Sequence, residues 1–76
     1  MDEAGRTIQR LRRRLTRLLD ALAAEEVTVT VGPRGLIFRG DGIESGQALL
    51  LTQDIESLYR AHPVSVRTML KARRDG

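Results

Sequence analysis

The pairing of His62 with a hydroxyl on Ser65, Thr52 or Thr68 is the combination in this chain nearest to nucleophile-and-base chemistry. Such chemistry needs the base held against the nucleophile and donors waiting for the oxyanion. His62 instead precedes a proline, in a turn, and no oxyanion motif accompanies it. A capping or solvated histidine fits better, and the sequence is read as non-enzymatic. Cysteine is absent and His62 is the only histidine, so thiolate and multi-histidine metal sites are excluded. The acidic residues lack metal-ligand spacing, and no metal or other cofactor is expected. The glycines at 32–35 and 40–46 match neither a P-loop nor a dinucleotide fingerprint, and turn geometry accounts for them.

Arginine is the remaining chemical resource. Twelve of the 13 cations are Arg, whose planar fork suits bidentate contact with phosphate, although a GC-rich genome would also favour its codons. Residues 1–19 carry six arginines against Asp2 and Glu3. Residues 20–56 are acidic, with only Arg34 and Arg39 opposing seven carboxylates. Residues 57–76 are basic again, through Arg60, Arg67, Lys71, Arg73 and Arg74 against Asp75. Two basic ends therefore flank an acidic middle. With Tyr59 and Phe38 as the only aromatics, base-stacking platforms for single strands are essentially missing.

The elements that must position these cations begin with a helix over residues 6–24. Ile8, Leu11, Leu15, Leu18 and Leu22 recur at steps of three and four, the seam of a short coiled coil. Arg6, Arg10, Arg12, Arg13, Arg14 and Arg17 make its polar face, and Asp2 or Glu3 suits its positive end. The apolar stripe admits two uses: packing on the chain's own sheet and helices, or pairing with a second copy. At 76 residues the chain is one domain, and so small a core gains from oligomerisation. A homodimer is expected, with those five residues as its interface. The helix lacks the Trp or Phe that membrane-surface helices insert, no apolar run could span a bilayer, and no hydrophobic signal core opens the chain. A cytoplasmic protein without membrane contact is expected.

Residues 27–39 read as a β-hairpin. Val27-Thr28-Val29-Thr30-Val31 alternates at period two. Gly32-Pro33-Arg34-Gly35 forms the turn, and Leu36-Ile37-Phe38-Arg39 returns. Pairing Val31 with Leu36 and Val29 with Phe38 collects the apolar residues on one face. Ile37 then lies half exposed among the threonines. Residues 47–51 are ambiguous between a third strand and the start of a helix, and a short strand or extended link is favoured because Thr52 resembles the cap of the next element. A helix pair follows over residues 53–74. Asp54 and Glu56 suit the first turns, and Ile55, Leu58 and Tyr59 form the buried face. Ala61-His62-Pro63 makes the break, with Pro63 opening the second helix and Val66, Met69 and Leu70 facing inward.

The stretch LTQDIESLYRAHPVSVRTMLKARR, from Leu51 to Arg74, resembles the helix-turn-helix of small bacterial and phage DNA-binding domains. Ile55, Tyr59, Val66 and Met69 fall at its buried positions, and Ser65-Val66-Arg67 matches the core of its second helix. Glu56 and Arg60 replace a small residue and the turn glycine, so the resemblance implies either a left-handed backbone at Arg60 or, with an insertion, a turn at Val64-Ser65. It further implies a recognition helix from Pro63, with Val64, Arg67, Thr68 and Lys71 meeting the major groove. Arg67 would read guanine, Val64 or Thr68 would touch a thymine methyl, and Lys71, Arg73 and Arg74 would hold phosphates.

The sequence therefore leads to an α+β domain of order α-β-β-α-α spanning residues 1–76. Its expected role is a dimeric duplex-DNA-binding protein, a transcriptional regulator or accessory factor. The competing reading is a protein-interaction module, an antitoxin-like partner or a phage-encoded modulator of a host machine, in which the first helix docks a protein partner.

Overall fold

The computed structural model describes residues 3–75, with side chains described for residues 5–73. Asp2 and the side chains of Glu3 and Arg74 lie outside that range, and with them the expected contacts at the start of the first helix and at Arg74. Five elements follow in the expected order: α1 (Glu3–Ala24), β1 (Val27–Gly32), β2 (Gly35–Gly40), α2 (Gly46–Ala61) and α3 (Pro63–Asp75).

Helix α1 forms because leucines recur along one side of a run free of proline and rich in helix formers. Leu11, Leu15, Leu19 and Leu22 are buried, and β1, α2 and α3 each pack against α1. Val27 comes from β1, Ala48, Leu51 and Ile55 from α2, and Val66 and Leu70 from α3, completing one apolar core. At about 1.5 Å per residue α1 is about 33 Å long. It accounts for most of the 43 Å long axis of the molecule. Its first two turns extend past the core, with residues 5–10 exposed throughout.

The hairpin takes the expected register, Val29 opposite Phe38 and Val31 opposite Leu36. The turn is tighter than the expected four-residue loop. Gly32 pairs with Gly35, leaving Pro33 and Arg34 at the tip. Two glycines are needed at the hairpin base. A Cβ on Gly40, which sits at φ +150°, would collide with the Glu26 carbonyl, and one on Gly42 would collide with that of Glu25. This close approach locks the β2–α2 loop onto the end of α1. Glu26 itself is left-handed, at φ 61°, where the chain turns out of α1 into β1.

Residues 47–51 are not a strand or link, and Thr52 is not a cap. Helix α2 begins at Gly46, and its N-cap is Ser45, whose hydroxyl oxygen accepts the Ala48 N–H at 3.0 Å. Ala48, Leu51 and Ile55 are spaced for one helix face, and none of the residues from Gln47 to Leu51 is β-branched. Thr52 lies inside the helix and donates its hydroxyl to the Leu49 carbonyl at 2.9 Å. Asp54 and Glu56 accordingly sit in mid-helix, and no acidic residue occupies the first turn. Glu25 supplies the negative charge at that end instead: the Ser45 hydroxyl donates to its carboxylate at 3.1 Å.

The junction of α2 and α3 is a single residue, His62, rather than about three. Its N–H closes α2 on the Leu58 carbonyl at 2.8 Å, and its carbonyl accepts the Val66 N–H at 3.0 Å to start α3. Proline disfavours helical backbone at the residue before it, which accounts for φ −139° at His62. Pro63 loses nothing as the first helical residue, because its absent N–H would have no partner there. Arg60 stays helical; Glu26 is the one non-glycine with positive φ among the described residues.

Two substitutions at the hairpin base should act in opposite directions. Glu26→Gly should stabilise by about 1 kcal/mol, since glycine adopts the left-handed conformation without Cβ strain. Gly40→Ala should destabilise by about 2 kcal/mol or more, because its Cβ meets backbone. Thermal melts of the two variants check both signs, and a stable Gly40→Ala protein would contradict the close approach.

Candidate nucleic-acid interface

Helix α3 is built to show one face to solvent. Its buried side chains, Val66 and Leu70, are four residues apart, with Met69 partly buried beside them. The opposite side therefore carries Val64, Thr68 and Lys71, with Arg67 on its flank. All four are exposed, Val64 to 76%.

The expected contact residues divide on inspection. Thr68 donates its hydroxyl to the Val64 carbonyl one turn back, at 2.9 Å. Arg67 Nη2 donates to the Tyr59 hydroxyl of α2 at 3.3 Å, which orients the guanidinium at the α2 edge of the face. Lys71 is free of ion pairs among the described residues. Arg73 is not on the outward face. Its Nη2 meets Asp20 Oδ1 of α1 at 2.7 Å, with both side chains about half exposed or more. An exposed pair of this kind contributes at most about 1 kcal/mol. It nevertheless draws Arg73 toward α1 and away from Lys71.

Arg12 was not among the expected contacts, and the fold brings it to this surface. A cleft of about 450 Å³ between α1 and α3 is lined by Arg12, Thr16, Thr68, Met69, Ala72 and Arg73 over a floor of Leu15 and Leu19. One arginine of α1 thus borders the α3 face. The signal was available in the sequence: Arg12 falls beside the Leu11–Leu15 stripe, not opposite it, on the flank where a neighbouring helix must lie.

No family model, curated protein or solved structure matches the chain. No helix among the described residues is long and apolar enough to cross a membrane.

The five residues expected at an oligomer interface divide as well. Leu11, Leu15 and Leu22 are at most 5% exposed within one chain, and Leu18 is partly buried against the same core. These leucines pack the chain's own sheet and helices. Ile8, 43% exposed on the projecting turns of α1, is the member of the stripe left open. Two further apolar side chains, Leu49 and Leu50, stand 50% and 60% exposed on α2.

The remaining arginines of α1 sit as like-charge neighbours. Arg10 and Arg14, Arg13 and Arg17, and Arg6 and Arg10 are each one turn apart, and each such pair costs a few tenths of a kcal/mol at low salt. The melting temperature should therefore rise between ~0.02 M and ~0.5 M salt, as screening relieves this repulsion. A melting temperature that falls over the range would show instead that attractive ion pairs dominate the surface.

Proposed function

We propose that the protein binds duplex DNA through the outward face of α3, acting as a small regulator or accessory factor. The observation that carries this reading is the one-sided exposure of α3. Val66 and Leu70 anchor it, while Val64, Arg67, Thr68 and Lys71 are exposed on the side that would meet a major groove. Burial at the positions that carry the helix-turn-helix resemblance supports the reading: Ile55 and Val66 are fully buried, and Tyr59 and Met69 are partly so. The single-residue hinge at His62 replaces the motif's longer turn, so the resemblance supports the pair of helices and not the loop between them. In this reading Arg67 reads a base edge and Lys71 holds a phosphate, with Arg12 at the border of the site. Pairing of two copies belongs to the proposal through Ile8 and the projecting turns of α1, since Leu11, Leu15 and Leu22 are occupied by the core. A cytoplasmic location goes with it.

Leu49 and Leu50 favour a second reading. Adjacent leucines at 50% and 60% exposure are the kind of patch that a protein partner covers. In that reading α2, rather than the stripe of α1, docks the partner.

Substitutions on α3 separate base reading from charge. Arg67→Ala should erode sequence preference at one base pair by about 1–3 kcal/mol. Lys71→Ala should weaken all duplexes alike and lower the log–log salt slope by about 0.9. Anisotropy titrations against a selected duplex and its single-base variants read both effects. Uniform losses from both substitutions would remove the base-reading role of Arg67.

A further inference from the structure

We propose that the arginine face of α1 is a second binding surface, whose partner is the phosphodiester backbone of duplex DNA. It extends the reading of α3 but stands on a different element. Arg10, Arg13 and Arg17 follow one another at steps of three and four, opposite the buried Leu11, Leu15 and Leu22. Arg6 continues the line one turn earlier. From Arg6 to Arg17 the line spans about 16.5 Å at the helical rise. Duplex DNA carries a phosphate charge about every 1.7 Å of its axis, so each arginine has phosphates within reach.

Three further observations identify the partner. No acidic residue occurs between positions 4 and 19, and the ion pair of α1 among the described residues, Asp20 with Arg73, uses none of these arginines. The like-charge spacing costs helix stability that a bound polyanion would restore. The apolar side of α1 is closed inside the core from Leu11 onward, and Ile8, the one member of its stripe left open, is too little to insert into a bilayer as a membrane-surface helix must. What it offers is a row of guanidinium forks on a rigid rod, suited to bidentate contact with phosphate oxygens.

The test is a triple variant, Arg10→Gln, Arg13→Gln and Arg17→Gln, titrated with mixed-sequence duplex DNA over a range of salt. Glutamine keeps the helix propensity, and removal of like charge should leave the melting temperature unchanged or raised, which serves as the folding control. The log–log salt slope should fall by about 2.7, three contacts at about 0.9 each, with affinity near ~0.1 M salt lower by roughly two to three orders of magnitude. An unchanged slope in a folded variant overturns the α1 surface, whatever α3 does. Loss of slope here, with binding indifferent to Arg67→Ala and Lys71→Ala, supports α1 and removes α3. Absence of duplex binding by the unaltered protein at ~0.02 M salt overturns both, as does binding to phosphatidylglycerol vesicles in place of duplex.

Discussion

The structure depends on one side of one helix. Leu11, Leu15, Leu19 and Leu22 of α1 form the surface against which α2, α3 and the hairpin all close. Full burial of a leucine is worth about 1.5–3 kcal/mol, and nothing else in so small a chain could replace these four. No polar side chain is buried with them among the described residues. The core thus offers shape and apolar area, and any recognition has to come from the outside of the molecule.

That constraint sorts the charges. With its leucines turned inward, α1 must carry its arginines outward, where they repel one another along the helix. The acidic side chains Glu25, Glu26, Asp41 and Glu44 collect in the connections at the opposite end of α1, where the hairpin base and the start of α2 meet. Close approach at Gly40 and Gly42 fixes that junction, and the Ser45–Glu25 hydrogen bond ties it to the N-terminus of α2. The molecule is therefore electrically lopsided along its length. A polyanion approaching it would be steered toward the arginine end and repelled from the hairpin base. The α3 face has fewer charges and more shape, with a threonine and an exposed valine beside its two cations.

Where periodicity and chemistry agreed, the sequence was sufficient. The stripe of α1 and the alternation of Val27 to Val31 each admit one secondary structure, and the hairpin register follows from keeping Val29 and Phe38 on one face. The misreading over residues 47–51 has a local cause. A short apolar run is compatible with strand and helix alike, and Thr52 competes with Ser45 as a cap. A helix that starts after Ser45 places Ala48 and Leu51 on the buried face with Ile55, and one that starts after Thr52 would leave those two out of it. The hinge was half legible: Pro63 announced a helix start, but not that His62 would serve the hydrogen bonds of both helices. Least legible was the division of the α1 stripe between self-packing and pairing. That depends on how much apolar surface α2 and α3 present, and so on where α2 begins. The ion pair of Arg73 with Asp20 was out of reach of the sequence for a related reason, since it joins residues 53 positions apart.

Amide chemical shifts followed through a titration with mixed-sequence duplex DNA test the account most directly, because one experiment reports on every surface. Binding through the two basic faces predicts the largest changes at residues 10–17 and 64–71, with small changes over the hairpin and around Leu49 and Leu50. Changes centred on Leu49 and Leu50, or spread through the buried leucines of α1, would contradict it.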